Sequence, residues 1–158
     1  MLSTLKKQDI EKLIPHRYPI NFLDTVTVED EKTGKGIATW PKDHIIFQGH
    51  FPGFPLVPGV FLIEAAAQVS AVIISSRAKN SEKEDEVGVL AGINKFTINQ
   101  PVKPEDKVEI SVKLKQTFPK MGMAYTRGRV NGNIVFEAQL MLGVVSKTKL
   151  KEKERSLV

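Results

Sequence analysis

The sequence predicts an α+β domain in which a curved antiparallel sheet wraps a central helix. Three observations carry this. The segment opening at Pro58-Gly59 and running to about Lys79 is helical and apolar on nearly every face, so other structure must surround it. The remaining long elements read as strands with no crossover helices between them, which makes their pairing antiparallel. Asn131-Gly132 lies between two alternating apolar segments, a strong two-residue hairpin signal.

Taken in order, residues 4–14 read as a short amphipathic helix with Leu5, Ile10, Leu13 and Ile14 on its apolar side, ended by Pro15. Strands follow at 20–30 and 35–40, separated by the polar turn Asp30-Glu31-Lys32-Thr33-Gly34. Residues 41–56 are irregular, with three prolines and two glycines, and loops of this length inside a compact domain are often functional. Proline suits the first turn of the central helix, where its missing N–H costs nothing. Arg77 and Lys79 suit the C-terminal end of the helix dipole. A solvated loop at 80–86 leads to strands at 87–99, 107–117, 123–130 and 133–145. Residues from 147 onward read as a charged, solvated tail.

The 158 residues suit a single domain spanning 1–158, with the tail at about 147–158. A hydrophobic share of 41% with 26% charged residues is ordinary globular composition and argues against disorder. The chain has no cysteine, which excludes a disulfide scaffold, a cysteine nucleophile and thiolate metal ligation. A net charge of +5 is compatible with an acidic partner and is weak support for nucleic acid. The first twenty residues hold Lys6, Lys7, Asp9, Glu11 and Lys12 with no apolar core, so a cytoplasmic protein is expected. The apolar run Val60–Ile74 is fifteen residues long and contains Glu64 and Gln68, too short and too polar for a membrane span. No phosphate-binding glycine motif occurs. Ser76-Arg77-Ala78-Lys79 and Lys32-Thr33-Gly34 stand in the wrong order for a β-lactamase.

Candidate chemistry gathers around the central helix. Glu64 is the one ionisable side chain between Phe51 and Ser76. A carboxyl group buried in an apolar helix is expected to have a raised pKa and to serve as a general acid. No Lys or Arg lies on the helix before Arg77, so any charged partner must come from elsewhere. Gln68, four residues on, shares a face with Glu64 and can orient it. His50, fixed in Gln48-Gly49-His50-Phe51-Pro52-Gly53, is a candidate base. Gly59 lets a ligand approach the unpartnered N–H groups of the first helical turn. His16 reads as structural, and His44 lies six residues from His50, a spacing without metal-site logic.

His50-Phe51-Pro52-Gly53-Phe54-Pro55-Leu56-Val57-Pro58-Gly59-Val60, followed by Glu64-Ala65-Ala66-Ala67-Gln68, closely resembles the signature of the FabZ family. These are β-hydroxyacyl-acyl-carrier-protein dehydratases of bacterial type II fatty-acid synthesis. Leu13-Ile14-Pro15-His16-Arg17-Tyr18-Pro19, Phe47-Gln48-Gly49, Ala91-Gly92-Ile93, Pro101-Val102, Pro104 and Asp106 extend the resemblance over residues 8–146. It implies a hot-dog fold and a catalytic pair of His50 and Glu64. It further implies an oxyanion-type contact at Gly59, a supporting Gln68, and an acyl tunnel touched by Phe51, Val60 and Val89. It implies no cofactor and no metal. The implied partner is an acyl carrier protein docking on basic surface, for which Lys120, Arg127 and Arg129 are candidates. The implied assembly is a homodimer, or a trimer of dimers, that shares each site between two chains.

Thr25 after Asp24, Glu105 before Asp106, the Asn94-Lys95-Phe96-Thr97-Ile98 stretch and Val89 depart from the family pattern. They bear on tunnel shape and docking, and leave room for a paralogue of a specialised pathway. The rivals are a hot-dog thioesterase and a non-enzymatic acyl-binding module.

Overall fold

The computed structural model describes residues 3–77, 85–118 and 120–155. The elements are β1 (Ser3–Lys6), α1 (Lys7–Leu13), β2 (Leu23–Val28), β3 (Thr33–Ala38), a 3-10 turn (Ile45–Gln48) and α2 (Gly59–Ser75). Then come β4 (Glu86–Ile98), β5 (Val108–Phe118), β6 (Met121–Val130), β7 (Asn133–Ser146) and α3 (Lys147–Arg155). The seven strands form one antiparallel sheet in the order β1-β2-β3-β5-β6-β7-β4. Helix α2 lies against β2 through β7 and against α1. This is the sheet-around-helix layout that the sequence predicts.

Alternation puts the core on the α2 side of the sheet. Val108, Ile110, Val112 and Leu114 of β5, Ala124 and Thr126 of β6, and Phe136, Ala138 and Leu140 of β7 are buried there. They meet Leu62, Ala65, Ala66, Val69, Val72 and Ile73 of α2 in one cluster. The seat of the helix is made by small residues. On β3, Gly34, Gly36 and Ala38 are the buried positions. A Cβ on Gly36 would run into the branched side chain of Val69, and one on Gly34 would meet Ile73 Cδ1 and Thr27 O, each at 2.8 Å. Asn131 and Gly132 both have positive φ, 50° and 82°, as a tight hairpin between β6 and β7 requires.

Two expectations need correction, one lies outside the described residues, and one element is added. Residues 3–6 are not helical: they form an edge strand on β2, in which the Thr4 and Thr27 hydroxyls bond at 2.9 Å. Polar Ser3, Thr4 and Lys6 hid this short strand, so the N-terminal helix begins only at Lys7. Helix α2 ends at Ser75 with Ser76 as its C-cap, because the Ser76 hydroxyl turns back onto Ile73 O. Lys79 and most of the 80–86 loop lie outside the described residues. The charged tail is helical through Arg155. Its first turn is held by Asp85, which accepts from the Thr148 N–H at 2.8 Å, the Thr148 hydroxyl at 2.6 Å and the Ser146 hydroxyl.

Strand β4 ends the sheet and has no fully buried residue. It carries two register irregularities, at Leu90/Gly92 and Ile93/Lys95, and exposes Leu90, Ile93 and Ile98. Among the described residues no helix is long and apolar enough to cross a membrane.

Two measurements check these contacts. Gly36→Ala forces Val69 off a well-packed sheet and is expected to destabilise the fold by about 1–3 kcal/mol in urea titration; an unchanged midpoint would mean that α2 is not seated on β3 in this way. The bonds from Ser146 and Thr148 pull the Asp85 carboxyl down from 3.8 to about 2. A depressed carboxyl stabilises above its ordinary pKa, and that contribution is lost as pH falls through its folded value. Helix α3 should therefore stay docked at neutral pH and loosen between about pH 4 and pH 2, and Asp85→Asn should remove that acid step from amide exchange measured at Lys147–Arg155.

Candidate active site

His50 sits in the loop before α2, which is braced by its own backbone. The His50 N–H donates to Ile46 O at 2.9 Å and the Leu56 N–H to His50 O at 3.0 Å. In return His50 Nδ1 bonds Leu56 O at 2.9 Å. A carbonyl oxygen can only accept, so Nδ1 carries the hydrogen and Nε2 of the neutral ring carries the lone pair. The loop is tied to the far side of the site where the Val57 N–H donates to Val102 O at 2.8 Å. Phe51 stacks on the imidazole with ring centroids 4.1 Å apart.

A cavity of about 330 Å³ opens beside this ring, lined by His50, Leu56, Gly59, Leu62, Ile98 and Val102 among others. Gly59 is the first residue of α2 and Pro58 its N-cap, with no side-chain cap. The Gly59 N–H belongs to the first turn, where backbone donors have no intrahelical acceptor. A Cβ at Gly59 would meet Ile98 Cδ1 at 2.6 Å and close the cavity against the helix end. The structure thus places His50 and Gly59 on one cavity.

Glu64 and Gln68 form a second cluster, one turn apart on α2. Gln68 is almost fully buried and its amide is engaged on both sides. Its Nε2 donates to Glu64 Oε1 at 2.8 Å and to Ile20 O at 2.7 Å, while its Oε1 accepts from the Phe22 N–H at 3.2 Å. A third residue joins them. His16 Nε2 lies 3.2 Å from the same Glu64 Oε1. The loop bearing His16 is held by Arg17, whose guanidinium donates to the carbonyls of Glu11, Ile14 and His16.

This overturns one expectation and adds to another: the carboxyl of Glu64 is not pushed up, and His16, read from the sequence as structural, stands beside it. The hydrogen bond from His16, followed by that from Gln68 and the electrostatic pull of the imidazole, holds it below its ordinary value against the opposing effect of burial. Sequence reasoning required the partner of Glu64 to come from outside the helix. The one signal that could have identified it is the position of His16 just after Pro15, where a chain leaving α1 must turn back across the core.

Within one chain no described contact joins His50 to Glu64, and Glu64 is not among the residues lining the His50 cavity. The other expected positions are dispersed. Val60 is 66% exposed and Phe51 49%. Val89 faces Gly143 across the β4–β7 pair. Lys120 pairs with Glu86 at 3.1 Å. Arg127 pairs with Glu137 at 2.6 Å. Arg127 points away from α2, alternating with buried Thr126 and Gly128, and Arg129 follows it on β6. Around Arg127 the outer face carries a larger open groove of about 440 Å³, lined also by Lys95, Lys113, Tyr125 and Glu137 and containing neither His50 nor Glu64. His44 accepts from the Ile46 N–H and caps the 3-10 turn. Among the described residues no group of three His, Asp or Glu side chains is placed to hold a metal ion.

Residues 14–139 match the FabA-like domain family, a span that contains every element of both clusters. Two curated relatives are 3-hydroxyacyl-[acyl-carrier-protein] dehydratases named FabZ. The one from Clostridioides difficile is 38% identical, over 90% of this chain and 99% of its own. The one from Syntrophotalea carbinolica is 39% identical, over 87% and 92%. Among solved structures, the dehydratase heterocomplex ApeI:P from Xenorhabdus doucetiae has the same fold, with a TM-score of 0.75 and 20% identity over 90% of this chain and 95% of that one. On its sequence and its fold together, the chain belongs to the FabA-like family.

Proposed function

We propose that this protein dehydrates a (3R)-hydroxyacyl thioester carried on an acyl carrier protein to the trans-2-enoyl thioester, in the cytoplasm, as a step of fatty-acid synthesis. The observation that carries the reading is the tautomer of His50 set by Leu56 O, which leaves a lone pair on Nε2 of a ring that lines one cavity together with Gly59. The substrate's thioester carbonyl accepts from Gly59, where the helix end favours developing negative charge. His50 Nε2 takes the C2 proton, the C2–H electrons become the C2–C3 π bond, and the C3–O bond breaks. The departing oxygen takes a proton from Glu64 and leaves as water. Each turnover leaves a proton on His50 and removes one from Glu64, so one proton must pass back before the next cycle. The carboxylate that prevails at Glu64 is the form that accepts a proton from water in the reverse, hydration direction.

The separation of the two clusters in one chain supports a site completed by a second copy, in a homodimer or a trimer of dimers. Exposed Phe51, Phe54, Val60 and Ile98 surround the His50 side, and β4 offers an open strand edge nearby. In that assembly Phe51, Val60 and Val89 border the acyl tunnel. Lys120, Arg127 and Arg129 remain the basic side chains assigned to the acidic carrier, the first two ion-paired to Glu86 and Glu137 within one chain. A carboxylate that stays ionised also suits the activation of water, so thioester hydrolysis is the second reading.

Incubation with a hydroxyacyl and an enoyl thioester separates them: interconversion supports the dehydratase, free thiol without interconversion supports the thioesterase. Glu64→Gln and His50→Ala should each lose turnover by about 10²-fold or more while keeping the fold. Unfolding and co-refolding equal amounts of the two variants makes about half the dimers hybrids, each with one intact shared site, so roughly a quarter of wild-type activity should return. A mixture shown to contain hybrids yet inactive would place both residues in one chain's site. No metal or redox group enters the steps above, so activity is expected to survive exhaustive chelation; loss that zinc restores would recast His50 as a ligand.

A further inference from the structure

We propose that His16 is a positioning residue for the reaction: it fixes Oε1 of Glu64 and thereby assigns Oε2 as the oxygen that exchanges the proton with the substrate. The inference rests on the dehydratase reading for the substrate, and on geometry for the pair. Two side-chain nitrogens from different parts of the chain converge on one carboxyl oxygen. Gln68 reaches Oε1 from one turn along α2, at 2.8 Å, and His16 reaches it from the loop after α1, at 3.2 Å. Among the described residues no hydrogen bond is directed at Oε2.

This arrangement serves both protonation states without rotation of the group. As a carboxylate, Glu64 accepts two bonds at Oε1 and keeps Oε2 open. As an acid, it keeps Oε1 as the carbonyl oxygen, still accepting both bonds, and the hydrogen resides on Oε2. A carboxyl held by one donor alone could turn about its last torsion, which is soft, and present either oxygen. Two donors on one oxygen remove that freedom, and pre-placement of a reacting group is worth a large factor in rate.

The loop is built to hold His16 rather than merely to pass it. Arg17 closes on three backbone carbonyls around it. Gln68 takes the Ile20 carbonyl and the Phe22 N–H of the same loop, so the two donors to Glu64 are also locked to each other. His16 Nδ1 is buried and has no partner among the described residues. With Nε2 donating to Glu64, that atom carries the lone pair of the neutral ring. A buried polar atom left unpaired has a cost, which is consistent with a ring held for its other nitrogen. The charged and titratable groups around the pair are few. Arg17 is spent on carbonyls, Glu11 accepts from Asn21 Nδ2 at 3.4 Å, and Gln68 is uncharged; the His50 of a second copy is the remaining one in a shared site.

The test compares His16→Ala with His16→Gln, whose amide N–H can stand in for Nε2–H without titrating. Expected for His16→Ala is a fall in kcat of about tenfold or more with KM changed less than about twofold. The Glu64 carboxyl carbon, followed by NMR, should titrate at higher pH than in the wild type. His16→Gln should recover most of the kcat and most of the carboxyl position. A folded His16→Ala enzyme with wild-type kcat and an unmoved Glu64 signal overturns the proposal, and so does an equal loss in both variants with that signal unmoved. Should His16→Ala fail to fold, the wild-type protein decides: His16 Nε2 must resonate as a protonated nitrogen whose signal moves in Glu64→Gln, and an unprotonated Nε2 ends the proposal. Wild-type inactivity on both thioesters would instead refute the dehydratase reading and leave the NMR result to judge the pair alone.

Discussion

The buried amide of Gln68 is the interaction on which the candidate site turns. Its three bonds join α2 to the loop between α1 and β2 and aim the carboxyl of Glu64. The identity of each end is forced: only nitrogen can face the Ile20 carbonyl, and only oxygen can face the Phe22 N–H. A polar side chain at 1% exposure is stable here because both sides of its amide are engaged. Removing it would leave a buried carbonyl and a buried N–H unpaired and would free Glu64 as well.

The helix can carry this amide only because the sheet beneath it is so closely approached. Gly34 and Gly36 on β3 admit Ile73 and Val69 without separation, and Ala65 and Ala66 keep the middle of α2 slim. At its start the same helix is deliberately unfinished. Pro58 offers no side-chain cap, and Gly59 leaves space against Ile98, so backbone donors face a cavity rather than a side chain.

Much of this was legible in the residues. Alternation in β5 and β7 and the Asn131-Gly132 turn fix those strands directly, and the all-round apolarity of α2 demands a sheet around it. Gln68 was legible as well, since a spacing of four puts it beside Glu64. What failed was anything that depended on distant partners. Ser3–Lys6 has too few apolar residues to announce a strand, and pairing with β2 decides its conformation. The helix within the charged Lys147–Arg155 segment was missed because the group that starts it, Asp85, is sixty-odd residues away. The ionisation of Glu64 was misjudged for the same reason. Burial was visible in the sequence, and the bond from His16, forty-eight positions earlier, was not.

The two register irregularities of β4 have a consequence for what can pair with this edge. An open edge with exposed Leu90, Ile93 and Ile98 is a template on which extended chains of other proteins could add. Flat, regular edges accept any such chain and lead to fibrils. Here the ladder breaks twice between Leu90 and Lys95, so a straight intruding segment can pair for only a few residues before losing register. Only a segment with matching irregularities could follow the whole edge, and another copy of β4 has them. The strand is thus open to pairing and at the same time selective about what can pair along its full length.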